Sequence, residues 1–185
     1  MPNQMIHTES CTCCADMLRA RFDRRRFLHV AAGAGLIAAF PSLVLGAEGN
    51  YDAMLLTCID PRFQTPIAGY MAERMMTGKY SQFTVAGASI GVVAPAFKTW
   101  APAFWDNLAA SIQLHNIPKV VVVNHRDCGA AKIAYGEAKV ANAQAETETH
   151  KAALLEFRKE VAERQPKLTT ELHLMALDGK LDSFS

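Results

Sequence analysis

The chain has 185 residues, half of them apolar and a fifth charged. That is the composition of an ordinary globular protein of one domain, or of one domain plus a targeting segment. A net charge of +1 gives no electrostatic reason to expect nucleic acid or an anionic membrane as a partner.

Residues 1–47 read apart from the rest. Asp23-Arg24-Arg25-Arg26-Phe27-Leu28 precedes an Ala/Gly-rich apolar stretch from Val30 to Val44, and Leu45-Gly46-Ala47 supplies small residues suited to cleavage. The pattern resembles a twin-arginine export signal, with Arg24 and Arg25 as the pair. The apolar stretch is short and is interrupted by Pro41, so a stable membrane span is not expected. The resemblance implies passage through the twin-arginine export machinery to the periplasm, in a folded state, and a single domain over residues 48–185. Without the segment, Lys plus Arg falls from 19 to 14, Asp plus Glu from 18 to 15, and the cysteines from five to two. The two that remain are Cys58 and Cys128. Cys11, Cys13 and Cys14 precede the arginine pair and are given no role in the exported domain.

Ala53-Met54-Leu55-Leu56-Thr57 is an apolar run that reads as a buried strand. Pro66 to Met76 reads as a helix ending at Gly78, with Met71, Met75 and Met76 as core residues. Gln82 to Val85 reads as a second strand, closed by Ala86-Gly87. Pro102 to His115 reads as a helix with Trp105, Leu108 and Ile112 on one face. Lys119 followed by four valines is the clearest strand, and the unbroken apolar run predicts burial on both faces, as in a parallel sheet. A short helix is expected after Gly129, with Asp127 as its cap. A longer helix is expected from about Ala145 to Gln165, with Leu154, Phe157 and Val161 inward. Thr170 to Ala176 reads as a last strand and Leu177-Asp178-Gly179-Lys180 as a turn. Alternating strands and helices imply an α/β fold, a mostly parallel sheet flanked by helices.

In such sheets, sites form beyond the carboxyl ends of the strands where the strand order reverses. Cys58 ends the first strand, and His125 and Cys128 follow the valine strand. Two thiolates and one imidazole suit zinc, and three protein ligands leave the open position of a catalytic site. A disulfide between Cys58 and Cys128 is the competing reading for an exported domain. It leaves His125, Asp60 and Arg62 without a purpose. Asp60 and Arg62 alone read as a loop salt bridge. His7, His29, His115, His150 and His173 lack a partner pattern and read as surface or packing residues, with His115 or His150 as remote candidates for proton relay.

The set Cys58-x-Asp60-x-Arg62, Ala86-Gly87 and His125-x-x-Cys128-Gly129 resembles the β-class carbonic anhydrases, and the likeness covers most of residues 51–182. It implies zinc-dependent, reversible hydration of carbon dioxide to bicarbonate. It further implies Zn2+ on Cys58, His125 and Cys128, a catalytic pair in Asp60 and Arg62, and a substrate loop at Ala86, Gly87 and Gly129. Asp60 would accept a hydrogen bond from the reacting water species, and Arg62 would keep it off the metal. Because two thiolates donate more charge than imidazoles, activity is expected to be better at mildly alkaline pH. A homodimer or a higher even-numbered oligomer is expected. The chain departs from the family pattern at Ala88-Ser89, where Asn usually follows Ala-Gly, at Asn124, where Gly usually precedes the histidine, and at the apolar Ile59 and Pro61. A related zinc enzyme acting on carbonyl sulfide or carbon disulfide in a drier pocket, and a non-catalytic zinc site closed by Asp60, are the alternatives.

Overall fold

The computed structural model describes residues 49–185. The export-signal reading, the boundary at residue 47 and Cys11, Cys13 and Cys14 lie outside the described residues. Among the described residues, no helix is long and apolar enough to cross a membrane.

Five strands form one sheet in the order β2-β1-β3-β4-β5. They are β1 (Ala53–Thr57), β2 (Tyr80–Thr84), β3 (Lys119–His125), β4 (Thr169–Met175) and β5 (Leu181–Phe184). The first four run parallel, and β5 adds antiparallel to β4. The valine run behaves as its sequence predicts, because alternate side chains leave opposite faces of a strand. Val121 and Val123 pack with Leu55, Phe63, Ile67 and Met71 on one face. Val120 and Val122 pack with Leu56, Phe104, Leu108 and Phe157 on the other. Both faces are therefore covered, as parallel strands require.

Helix α1 (Gln64–Glu73) follows a 3-10 turn at Pro61–Phe63 and stops short of the expected Met76. Met75 takes φ 56°, its N–H bonds to the Ala72 carbonyl, and the Met76 N–H reaches back to Met71. This six-to-one and five-to-two pattern ends helices, and it leaves the side chain at the left-handed position outside. Met71 and Met76 are buried accordingly, whereas Met75 is 78% exposed, contrary to the expected methionine core.

After β2 come α2 (Ser89–Val93) and α3 (Ala101–His115). The face of α3 differs from expectation: Phe104, Leu108 and Ser111 are the buried residues, with Trp105 and Ile112 flanking them half-buried. Phe104 meets Phe83 and Phe157 at ring distances of 5.5 and 5.3 Å and so joins β2 to the far helix. That helix is α5 (Ala143–Arg164), preceded by the short α4 (Gly129–Tyr135). The Leu177–Lys180 turn leads into β5, a strand too short and polar to show in the sequence. From β1 the chain crosses to β2 on one side, then returns to β3 on the other. The order therefore reverses between β1 and β3, where a crevice opens at the strand ends.

Candidate metal centre

Cys58 follows β1 directly, His125 ends β3, and Cys128 stands in the turn before α4. Thr57 is in register with Val123, so Cys58 and His125 leave neighbouring strand ends. Cys58, His125 and Cys128 are all buried, and one donor atom from each lies within 4.8 Å of the others. Both cysteines are free thiols, so the disulfide is not formed.

The donor set fits a zinc ion. His125 Nδ1 lies 2.8 Å from the Arg126 carbonyl oxygen. A carbonyl only accepts, so Nδ1 carries a proton and Nε2 is the nitrogen left to face a metal. Nε2 is buried and, among the described residues, has no hydrogen-bond partner. Phe63 stacks on the imidazole at 4.8 Å and holds its plane. The sulfurs complete the picture. The Cys128 thiol donates to Cys58 and, against the opposing effect of burial, holds Cys58 well below the ordinary thiol range. That same bond, with burial behind it, pushes Cys128 up. Two buried sulfurs beside an unmet imidazole nitrogen are an arrangement that a divalent cation satisfies at once.

Asp60 and Arg62 lie at the mouth. Arg62 donates from Nε and Nη2 to the two Asp60 oxygens, at 3.1 and 2.7 Å. The Arg62 N–H adds a third bond at 2.9 Å. The guanidinium beside it, against a smaller cost of burial, holds the Asp60 carboxyl down at about 2. Asp60 Oδ2 is 3.9 Å from His125 Nε2. The carboxylate thus borders the donor cluster while both its oxygens face the arginine.

Asp127 does not cap α4. It takes φ 56°, and its carboxylate accepts from Arg62 Nη1 at 2.7 Å. Cys128 occupies the cap position without a side-chain bond. The Asp127 N–H donates instead to Glu146 Oε1 on α5, at 2.6 Å. Glu146 Oε2 also takes Arg126 Nη1 at 3.3 Å, and Arg126 Nη2 donates to Asp182 at 2.7 Å. A long helix and the added strand β5 thereby fix the turn that presents Cys128. A cleft of about 530 Å³ opens here, lined by Asp60, Arg62, Arg126, Asp127, Lys132 and Glu146 among others. Gly129 lines it as well. Ile59 is 58% exposed and Pro61 is exposed too. The apolar residues beside Cys58 thus face outward, and the lining is charged rather than dry.

The family profile described as "Putative carbonic anhydrase" matches residues 49–161, more than half of the chain. The chain belongs to this carbonic anhydrase family. Uncharacterized proteins of Rickettsia conorii and Rickettsia bellii are each 29% identical over 131 residues. The match covers 71% of this chain and 70% and 80% of theirs. Among solved structures, the β-carbonic anhydrase CafA of Aspergillus fumigatus superposes with a TM-score of 0.50 at 16% identity, over 95% of this chain and 91% of its own. A tetrameric β-carbonic anhydrase of Sordaria macrospora gives 0.50 at 12% identity, over 94% and 97%. The Coccomyxa β-carbonic anhydrase, solved with acetazolamide, gives 0.50 at 14% identity, over 89% and 87%. Likeness at such identities establishes the shared fold.

Within this carbonic anhydrase fold the sequence-predicted residues Cys58, Asp60, Arg62, Gly87, His125 and Cys128 come together. Gly87 donates its N–H to Cys58 Sγ at 3.2 Å. It sits at φ 80°, where a Cβ would come 3.0 Å from that of Ala130, so the close approach requires glycine. Ala86 stands just before it, half-buried against the core. The sequence reading missed Glu146 and did not anticipate the contacts that Asn124 and His150 make. Asn124 is buried at the end of an otherwise apolar strand, and His150 is fully buried. An amide directly after a run of four buried valines is the signal for a buried polar contact.

Proposed function

We propose that the protein is a zinc-dependent carbonic anhydrase that reversibly hydrates carbon dioxide to bicarbonate and a proton. The observation that carries the reading is His125 Nε2, buried and without a partner among the described residues, with the buried thiols of Cys58 and Cys128 beside it. Cys58, His125 and Cys128 would hold the ion and leave a fourth position open. When bound, zinc supplies Lewis acidity that makes water a competent nucleophile near neutral pH. The chain's own residues do the rest. Asp60 stays ionised because Arg62 holds it, so its only hydrogen-bonding capacity is to accept, which orients a water-derived nucleophile at the donor cluster. The arginine clamp engages both carboxylate oxygens, which favours an open site over one closed by Asp60. Arg62, Arg126 and Lys132 on the cleft wall supply the donors that an anionic product needs.

Periplasmic location through the twin-arginine route belongs to the same reading, on the residue pattern of positions 23–47. So does assembly into a homodimer or higher even-numbered oligomer. The exposed Ile59 and Ile133, 58% and 74% accessible, support it, as does the tetrameric Sordaria protein with the same fold.

The test is a pair of measurements on the full chain purified without added metal: zinc per chain, and stopped-flow hydration of carbon dioxide. About one zinc per chain with hydration that quickens toward alkaline pH is the expected result. Zinc without hydration, but with turnover of carbonyl sulfide, would shift the substrate. Absence of zinc with both thiols oxidised would end the reading.

A further inference from the structure

Asn124 and His125 are neighbours on β3, so their side chains leave opposite faces of the sheet. His125 joins the metal centre. Asn124 points to the other face, where it meets two residues that no part of the proposed mechanism uses. Its Oδ1 accepts from the Ser89 N–H at 3.1 Å and from the Ser89 hydroxyl at 3.0 Å. A backbone N–H only donates, so this contact fixes which end of the amide is oxygen. Nδ2 therefore donates to His150 Nδ1, at 3.0 Å. That in turn makes His150 the tautomer protonated at Nε2, and Nε2 is buried without a partner. Burial pushes His150 down to about 4, which keeps it in this neutral form. An unmet buried donor is costly, so packing alone would favour an apolar side chain here. Among the described residues, Asn124 is the one hydrogen-bond partner of the His150 side chain.

What this network holds is the loop from Ala86 to Ser89. Ala88 is fully buried and sits at φ 50°, ψ −112°, a conformation that a residue with a Cβ adopts only when its surroundings impose it. Gly91 closes the other side, since a Cβ there would come 2.5 Å from the Ala86 carbonyl oxygen. The loop has two polar anchors. One is Ser89 on Asn124. The other is the Gly87 N–H on Cys58 Sγ, at 3.2 Å, two residues before Ser89.

We propose that Asn124, backed by His150, is a positioning residue for the metal centre: it locks Ser89 so that the strained Gly87–Ala88 turn keeps the Gly87 N–H on the Cys58 sulfur. This rests on the metal-centre reading for its consequence, because a hydrogen bond to a ligand sulfur tunes how strongly that sulfur donates to the ion. The loop geometry itself stands without metal.

The test uses the full chain with Asn124→Leu, Ser89→Ala and His150→Gln. In the metal-free protein, amide exchange at Gly87 should quicken about tenfold in Asn124→Leu and by less in Ser89→Ala, which keeps the Ser89 N–H. Exchange at Val121 to Val123 should not change. His150→Gln, whose amide can still accept from Asn124, should stay close to wild type. With cobalt in place of zinc, the thiolate-to-metal absorption bands should shift in Asn124→Leu, and zinc affinity against a competing chelator should fall about tenfold. If Asn124→Leu does not fold, Ser89→Ala carries the same comparison. Unchanged Gly87 exchange, or exchange that quickens only in step with the β3 amides, would overturn the proposal. An unshifted cobalt spectrum with lowered melting temperature would reduce Asn124 to a core-packing residue. A wild type that takes up neither zinc nor cobalt would instead overturn the metal-centre reading, and the Gly87 exchange would still decide the role of Asn124 in the loop.

Discussion

Asp60 and Arg62 grip each other through three hydrogen bonds, two from the guanidinium and one from the Arg62 N–H. The arginine is held from behind by Asp127, through its carboxylate at 2.7 Å and its carbonyl oxygen at 3.0 Å. Arg62 is half exposed, so the clamp draws on its geometry more than on its Coulomb energy. Its removal should release Asp60 toward the donor cluster 3.9 Å away. Arg62→Ala is therefore expected to retain zinc while losing about 100-fold in hydration rate, the scale of a misplaced proton acceptor. Asp60→Asn should also retain zinc and lose most turnover, because an amide offers donors where the carboxylate only accepts. Zinc counts and stopped-flow rates on the same samples check both, and loss of zinc from Asp60→Asn would count against its place outside the ligand set.

Loss of a ligand should look different. Cys58→Ser or Cys128→Ser removes a sulfur from a buried cluster, so zinc affinity should fall by more than the roughly 10–100-fold that partners outside the ligand set are worth. In the wild type, chelation should lower the melting temperature, because an ion bound only by the folded state adds about 4 kcal/mol at a thousandfold excess over its dissociation constant. In either serine variant the chelator should change little. Calorimetry with and without chelator separates the two cases.

Much of this was legible because it is local. The apolar runs at Ala53–Thr57 and Val120–Val123 announce strands, and the ligands stand within five residues of their ends. Cys58 and His125 meet because β1 and β3 are neighbours, a consequence of the fold class that their motifs already implied. Asp127 was misread because an Asp before a helix normally caps it, whereas here the left-handed backbone turns its carboxylate to Arg62. Glu146, Asn124 and His150 were not legible in their roles. Their contacts depend on how α5 docks across β3, and that docking angle leaves no trace in helical periodicity. Met75 was misread for the opposite reason: its spacing fits the core, but a local backbone signal ends the helix first.

Glu146 makes a sharper case than its place on a surface helix suggests. It accepts the Asp127 N–H at 2.6 Å and an Arg126 bond at 3.3 Å while nearly buried. Glu146→Ala would leave that N–H unmet and free the turn that presents Cys128. A stability loss of about 2 kcal/mol is expected, together with a roughly 10–100-fold weaker hold on zinc. Glu146→Gln, which keeps an acceptor oxygen, should recover most of the metal affinity. Denaturant melts and chelator competition check the pair.

At Met75 the prediction is independent of function. The residue closes α1 at φ 56° with an exposed side chain, a position where glycine has no Cβ to strain. Met75→Gly should stabilise the protein by about 1 kcal/mol without changing metal content. Urea melts provide the number, and a destabilisation would mean that the Met75 side chain contributes packing beyond its visible contacts.

The last prediction concerns pH. His150 is fully buried, and burial pushes it from its ordinary 6.5 down to about 4. Above 6.5 it is neutral whether the chain is folded or unfolded, and its full contribution to stability is present. As pH falls below 6.5 the unfolded chain takes up a proton that the folded chain refuses until about 4. Stability should therefore decline across that window, by up to about 3 kcal/mol from this group, and level off once the folded state accepts the proton. His150→Gln should flatten the decline between pH 6.5 and 4 while leaving stability at pH 8 within about 1 kcal/mol, since the amide can still meet Asn124. Urea melts at intervals from pH 8 to 4, run on the metal-free protein so that the ligands' own titration is shared by both chains, give the difference directly. Parallel slopes for the two proteins would show that His150 is protonated in the folded state as readily as in the unfolded one.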